Sequence, residues 1–352
     1  MAASEGKNLV GVDIGSNSIK LIEIDENRKG ERRIGRFGFH VLPPQTVVDG
    51  HVMSPGAIVE GLDRLFHKSK KRDVAIRASG HSVIIKKITM PFMTAAELSE
   101  QINWEAEQHI PFDLADVRID YQVLAQRQQQ GQIDVLLVAA KREEIQEMVN
   151  LAQEAKLKAR VVDLDAFAVQ NAYETGYGAA VAGQTVVLLH VGASLTTLNI
   201  LAGGTTAFTR DIANAGNAIT DEIQRRLNIS QEEAEAYKCG GARGIVPREV
   251  PEIIGQAVDT LAGEIQRSLD FYLATSGEAE IHKVIVSGGS ANLHALLEAI
   301  GRRTRVMCEA FDSGRLGAID AKGVSPNEFQ ARSAQAVVAC GLALRKDKER
   351  AQ

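Results

Sequence analysis

The sequence predicts an α/β protein of two related lobes, with a small third α/β unit carried inside the first. Three observations predict it. Strand-like apolar runs alternate with amphipathic helical stretches along the chain. The opening "LVGVDIGSNSIKLIEI" is matched at mid-chain by "VVLLHVGASLTTLNIL", so that Asp13 falls on His190, Gly15 on Gly192, Ser16 on Ala193 and Asn17 on Ser194. A repeat 177 positions apart signals two lobes, because solenoid repeats recur every ~20–50 residues. Finally, residues 82–163 read strand, helix, strand, strand, helix, strand, the order of a self-contained unit set into a larger one.

The elements follow in order. Residues 8–26 give a strand, a Gly/Ser turn and a half-buried second strand with Ile19, Leu21 and Ile24 alternating. "DENRKGER" is a charged hairpin turn before a third strand at "IGRFGFHVL". "PGAIVEGLDRLFHKS" is an amphipathic helix with Ile58, Leu62, Leu65 and Phe66 on one face, and "DVAIRAS" is a strand. In the inserted unit, "HSVIIKKITM" is a strand ended by Pro91. Thr94 with Glu97 forms a capping box opening the helix "TAAELSEQINWEAEQHI". Trp104, the single tryptophan, is expected in the core with Leu98 and Ile102; a partner-binding role is the alternative. Two strands flank a Gln/Gly turn near 128–131, followed by a helix and the strand "KARVVDLD".

After a helix at 165–175 comes the mid-chain repeat, then helices at 215–227 and 230–239, the second capped by Ser230 with Glu233. A long helix near 250–276 precedes "KVIVSGGSANLHALLEAIG", a strand, a Gly-Gly turn and a helix. "ARSAQAVVACGLAL" is a C-terminal helix whose small residues allow close packing, and "RKDKERAQ" is a solvated tail.

Composition bounds the function. A net charge of −5 over 352 residues leaves no footprint for nucleic acid. Cys239, Cys308 and Cys340 are scattered and odd in number, so neither a disulfide framework nor a zinc spacing forms, and a reducing compartment is expected. No signal peptide and no apolar run approaching the ~20 residues of a membrane span is seen. The expectation is a cytoplasmic protein that meets a membrane only through partners. The run "HKSKKR" at 67–72 reads as a solvated helix end, with acidic lipid as the alternative.

The glycine turns carry the chemistry. A Gly/Ser hairpin exposes backbone N–H groups that cradle phosphate oxygens. Lys20 would return a cation to those phosphates, and Asp13 would hold magnesium through water. Taken alone, "GVDIGSNSIK" is equally an ordinary hairpin in which Asp13 and Ser16 bond local backbone. "SGGS" at 287–290 is weak alone too. Three such turns in one chain are the pattern of actin-like ATPases. The stretches "GVDIGSNSIKLIEI", "MPFMTAAELSEQINWEAEQHIPFDLADVRIDYQVL", "VLLVAAKREEIQEMVNLAQEAKLKARVVDLDAFAVQNAY" and "FTRDIANAGNAITDEIQRRLNISQEEAEAYK" make the chain similar to the PilM family of type IV pilus assembly proteins, relatives of the division protein FtsA.

That resemblance implies an actin-like, ribonuclease H-like α/β fold. The first lobe would be 1–81 and 164–180, the inserted FtsA/PilM-type subdomain 82–163, and the second lobe 181–344 with its outer part at about 215–276; 345–352 would be a charged tail. It implies ATP or ADP with Mg2+ between the lobes. Asp13, Gly15, Ser16, Asn17, Ser18 and Lys20 fall on the first phosphate loop, and Gly192, Ala193, Ser194 and Thr196 on the second. Gly216 and Asn217 lie in the closing turn, Glu235 and Lys238 border ribose and adenine, and Gly288, Gly289 and Ser290 form the adenosine loop. Gln170 falls at the water-orienting glutamine, the candidate catalytic residue. The second loop starts with His190 where hydrolytic relatives carry Asp. Imidazole is a poor magnesium ligand, so hydrolysis is expected to be slow or absent.

The implied function is an ATP-binding adaptor that binds the N-terminal cytoplasmic peptide of PilN in a groove between the inserted unit and the first lobe. It would link the inner-membrane complex to the pilus platform protein and the extension ATPase. The alternatives are an active ATPase, a small-molecule kinase, which needs a base near the phosphate, and an FtsA-like division protein. "LRKDKERAQ" lacks the amphipathic anchor an FtsA-like chain would carry.

Overall fold

The opening stretch folds as a hairpin: β1 (Val10–Ile14) turns at 15–17 into β2 (Ser18–Glu26), which pairs in turn with β3 (Arg32–Val41). The computed structural model describes residues 6–48, 50–78, 80, 82–178, 183–241, 244–278 and 280–348. A two-residue ladder, β4 (Val47–Val48) with β5 (His51–Val52), leads to α1 (Pro55–Phe66), which starts at a proline in its first turn. Its face Ile58, Leu62 and Phe66 is buried, and β6 (Asp73–Ala78) follows, parallel to β1.

The insertion is β7 (Val83–Pro91), α2 (Ala95–His109), β8 (Val117–Arg127) and β9 (Gln132–Lys141). Its strands form a separate antiparallel sheet in the order β7-β9-β8. The Thr94–Glu97 capping box is present, and Leu98, Ile102 and Ala106 of α2 close a small core over Val135, Leu137 and Ala139. Trp104 departs from its expectation. It is 78% exposed. Positions 98, 102 and 106 recur every four residues and face the sheet, which turns position 104 to solvent.

The chain returns through α3 (Arg142–Glu154), β10 (Lys158–Leu164) and α4 (Asp165–Tyr177). Grouping α3 and β10 with the insertion is corrected here. β10 pairs parallel with β6, and Leu151, Ala152 and Ala155 pack in the outer core of the first lobe with Ile58 and Leu62. The reason is topological: a parallel neighbour for β6 needs a crossover helix, and α3 supplies it.

The second lobe repeats the frame with β11 (Thr185–Val191), β12 (Thr196–Ala202) and β13 (Thr205–Ile212). Helices α5 (Gly216–Leu227), α6 (Gln231–Lys238) and α7 (Val250–Ser276) follow. Then come β14 (Lys283–Ser287), α8 (His294–Thr304), β15 (Met307–Ala310), β16 (Ala318–Ile319), α9 (Pro326–Arg332) and α10 (Val337–Ala343). The first sheet reads β10-β6-β1-β2-β3-β16 and the second β13-β12-β11-β14-β15. Five strands of each share one topology: a three-stranded meander, then two parallel partners.

The expected single C-terminal helix is broken. α9 ends at Arg332, a 3-10 turn spans Ser333–Ala336, and α10 begins at Val337. The tail also differs: Leu9 N–H donates to Arg345 O at 2.9 Å and Asp347 N–H to Lys7 O at 3.1 Å, so 345–348 run back along the start of β1. Residues 349–352 and the expected lobe boundary at 180–181 lie outside the described residues.

α10 is the pin of the molecule. All seven of its residues are buried, and it joins Ile22, Ile24 and Ala75 of the first lobe to Val186, Leu188 and Ile285 of the second in one core. It approaches its neighbours at backbone distance. A Cβ on Gly341 would stand 1.8 Å from Ala168 O, and one on Gly11 would stand 2.0 Å from Ala339 O. Gly341→Ala is therefore expected to cost roughly 1–3 kcal/mol or more through overpacking. Gly255→Ala on α7, where nothing lies within 4 Å of the added carbon, should be neutral or stabilising by up to ~1 kcal/mol. Urea unfolding of the two variants checks the contrast.

Candidate functional site

Both glycine hairpins open on the space between the lobes. Gly15 N–H donates to Ser18 O, and Gly192 N–H donates to Leu195 O, each at 3.0 Å, so the repeat extends to identical turn closure. The third turn completes the wall. Gly288 holds φ +92°, and a Cβ there would sit 2.2 Å from Val191 O, so only glycine fits. α5 starts against the second turn: Gly216 N–H donates to Gly192 O at 3.0 Å and Asn217 N–H to Ala193 O at 2.7 Å.

These turns line one cavity of ≈ 1120 Å³. It brings together sixteen of the seventeen candidate binding residues: Asp13, Gly15, Ser16, Asn17, Ser18, Lys20, Gly192, Ala193, Ser194, Gly216, Asn217, Glu235, Lys238, Gly288, Gly289 and Ser290. Thr196 is the exception. Its side chain is buried and donates to Asn214 O at 2.7 Å, so it ties β12 to the loop before α5. Lys238 Nζ donates to Gly216 O at 3.1 Å and to Thr220 Oγ1 at 2.8 Å, and pairs with Glu235 at 2.6 Å, bracing α6 on α5. Beside it Tyr237, Val246, Ile254 and Leu293 give the cavity an apolar wall.

Gln170 is not on this cavity. Its Oε1 accepts from Thr206 Oγ1 at 2.8 Å and its Nε2 donates to Glu174 at 2.8 Å. It lies more than one turn along α4 from the helix start, which carries it from the cleft floor to the underside of β12 and β13. Its contact across the lobes is structural.

The cleft floor carries charged side chains that the sequence reading missed. Arg77, on β6, pairs with Asp13 at 2.8 Å and with Asp165, the first residue of α4. It also donates to Ile14 O through Nε at 3.1 Å and Nη2 at 2.9 Å. Lys20 Nζ stands 3.2 Å from the other Asp13 oxygen. Asp13 and Asp165 are each more than nine-tenths buried, and Asp165 Oδ1 has no hydrogen-bond partner. The signals were an arginine inside the apolar run "VAIRA" and an aspartate between a buried strand and a buried helix face.

The second lobe repeats these positions without charge. β1 runs parallel to β6 with Val12 opposite Ile76, which puts Asp13 level with Arg77; Asp13 also faces Lys20. In the copy His190 faces Thr197 and Ser287, with His190 Nδ1 3.0 Å from Ser287 Oγ. An acid with two cations on one side thus answers an imidazole with two hydroxyls on the other.

The electrostatics follow from burial. Burial works to raise the Asp13 carboxyl, but Lys20 and Arg77 win and hold it below the ordinary value. His190 is pushed down to about 4 by burial, with Arg77 and Lys20 acting the same way and Asp13 opposing, so it is neutral at pH 7. Asp165 is pushed up to about 7 by burial, against Arg77 and with help from the charges of Asp13 and Asp211.

Among the described residues no group of three or more His, Cys, Asp or Glu is placed to hold a metal ion. A magnesium ion held mostly by water and phosphate oxygens does fit, because it needs only one or two carboxylates. Asp13 and the unpartnered oxygen of Asp165 are the candidates.

Comparison with known proteins gives a family and a fold. A family model described as type IV pilus assembly protein PilM matches residues 11–347. Among solved structures, one described as a PilM–PilN type IV pilus biogenesis complex is similar with a TM-score of 0.85 and 26% identity, over 97% of this chain and 99% of that chain. The ethanolamine utilization protein EutJ from Carboxydothermus hydrogenoformans is similar at TM-score 0.59 and 14% identity, over 96% and 89%. MreB5 of Spiroplasma citri bound to ADP is similar at 0.52 and 14%, over 95% and 94%. The last two share the fold, which is the actin-like one. Among the described residues no helix is long and apolar enough to cross a membrane.

Two predictions test the floor. A carboxyl raised in the folded state stabilises below its unfolded value of ~4, and that contribution is lost as pH rises through the folded value. For Asp165 the window ends at about 7, so Asp165→Asn should flatten the stability–pH curve between ~4 and 7. Asp13 has the opposite sign, and its contribution, present above ~4, is lost as pH falls. Arg77→Met leaves Asp165 without a cation and Asp13 with Lys20 alone, and should cost about 3–5 kcal/mol. Chemical unfolding across pH reads both.

Proposed function

Because the chain belongs to the PilM family of type IV pilus assembly proteins, we propose that it is a nucleotide-binding adaptor of pilus assembly. The observation that carries this is the convergence of three glycine turns and Lys20 on one inter-lobe cavity that also has an apolar wall. In this reading the turns at 15–17 and 192–194 hold the phosphates of ATP or ADP from opposite lobes. Lys20 would pair with a phosphate oxygen. Asp13 would hold magnesium through water, and the ion would supply charge neutralisation. Gly288, Gly289 and Ser290 support the adenosine, and the wall of Tyr237, Val246, Ile254 and Leu293 takes the base. Glu235 and Lys238 border the ribose.

The N-terminal cytoplasmic peptide of PilN would dock as an extended segment between the inserted unit and the first lobe. The similar structure described as a PilM–PilN complex supports that partner. The pilus platform protein and the extension ATPase are the further partners, and the inner membrane the place of work. Nucleotide would act by biasing lobe closure, which requires unequal affinity for the open and closed states.

One observation favours a second reading, a working ATPase. Asp165 is a carboxyl on the cavity, pushed up to about 7 and with one oxygen unpartnered. A base with a pKa near the working pH is the efficient kind, and it would act where His190 cannot.

Titration of a labelled PilN N-terminal peptide against the protein with ATP, ADP or no nucleotide tests the adaptor. The expected result is binding whose affinity differs between states; no binding in any state removes the reading. Lys20→Ala should weaken ATP about 10–100-fold, the worth of a charge-assisted contact. Single-turnover assays of Asp165→Asn and His190→Asp decide the second reading: a functional base at 165 requires loss of hydrolysis in the first variant.

A further inference from the structure

One edge of the first sheet, at the end away from the cleft, gathers an unusual density of positive charge. β1 runs from Val10 at this edge to Ile14 at the cleft. Level with Val10 lie the starts of β6 and β10, because Val10 is paired with Val74 and Asp73 with Lys158. The turn between β2 and β3 reaches the same edge, with Glu26 opposite Arg32, and residue 346 bridges to residue 8 there. Five segments therefore meet: 6–8, 25–33, 67–73, 154–160 and 346–348. They hold fourteen Lys and Arg against six Asp and Glu, in a chain whose net charge is −5.

Three of these acids, Asp25, Glu26 and Asp73, are already paired. Lys71 pairs with Asp25 and with Glu23 on β2, Arg160 with Asp73, and Arg32 with Glu26. Among the described residues Arg28, Lys29, Lys68, Lys70, Lys156 and Lys158 are exposed and enter no ion pair. They come from three separate segments, so the run at 67–72 is one part of a larger surface. At ~4.8 Å per strand the edge from β10 to β3 is about 20 Å wide.

We propose that this edge is a docking face for an anionic bilayer surface, taking acidic lipid headgroups by charge alone. The contact is direct and goes beyond attachment through a partner. The observations favour a bilayer over other polyanions. None of the exposed large apolar side chains of the described residues, such as Val41, Trp104 or Phe271, lies in these segments. A protein interface draws most of its affinity from such anchors, and single-stranded nucleic acid needs aromatic platforms. Headgroup attraction needs neither; basic side chains near the surface suffice and add up one by one.

The test is co-sedimentation of the full chain with vesicles of phosphatidylcholine, alone or with about one-third phosphatidylglycerol, at ~50 mM and ~500 mM salt. The expected result is binding to the anionic vesicles only, lost at high salt. Lys68→Glu/Lys70→Glu/Lys156→Glu/Lys158→Glu should bind at least about tenfold more weakly, with unchanged thermal unfolding and unchanged nucleotide affinity. Absent binding, equal binding to both vesicles, or binding indifferent to salt would overturn the proposal on the wild-type chain alone. Tighter binding to a single-stranded oligonucleotide than to the anionic vesicles would overturn it in favour of nucleic acid.

Discussion

The part-buried guanidinium of Arg77 holds the centre of this molecule together. It reaches Asp13 near the end of the first strand, Asp165 at the start of the central helix, and the carbonyl of Ile14, the strand residue that leads into the first glycine turn. Two carboxylates this deeply buried cannot both be charged without a cation between them. The arginine therefore fixes the turn's position relative to the strand that leads to the insertion and the helix that leads to the second lobe. The same arrangement leaves one Asp165 oxygen unpartnered, so the cluster is satisfied only in part. An unsatisfied acceptor at a cleft floor is where a ligand changes the energetics most.

The two lobes show how one backbone is reused with different chemistry. Strand order, hairpin closure and parallel neighbours repeat between them. Side chains at three equivalent positions do not: acid, lysine and arginine in one lobe become imidazole, threonine and serine in the other. At these three positions charge stands on one side of the cleft only, and the His190 that answers Asp13 is neutral. Coupling to the insertion is equally local. Arg77 stands at the end of the strand that feeds β7, and Thr209 of the second lobe donates to Ile85 O of β7 at 3.2 Å. Lobe, insertion and cleft floor thus share a short chain of contacts.

Much of this was legible in the residues. Alternating apolar patterns gave the strands, and the Thr94–Glu97 and Ser230–Glu233 signals marked two helix starts where side chains do cap the backbone. The internal repeat worked because a hairpin carrying glycine and small polar residues is a local, backbone-encoded object. The misses have physical reasons too. Trp104 was expected inside because it is large and apolar, but α2 has a single sheet to cover, and position 104 faces away from it. Gln170 was expected at the cleft from the resemblance to actin-like proteins, yet it bonds Asn199 of β12 and Thr206 of β13 instead. Grouping α3 and β10 with the insertion failed because strand partnership is a long-range choice.

By itself the sequence determined the periodicities, the caps and the three glycine turns, which depend on neighbours a few residues away, and the doubled frame, which shows as two copies of one such local pattern. Only the tertiary structure decided which charges meet. Arg77 lies 64 positions from Asp13 and 88 from Asp165 along the chain, and nothing local distinguishes an arginine held between two acids from an exposed one with none. The same holds for the basic edge, whose segments are dispersed in sequence and adjacent only because β10, β6, β1 and the β2–β3 turn end at one level. Electrostatic partnership depends on distance and burial, and both are properties of the fold.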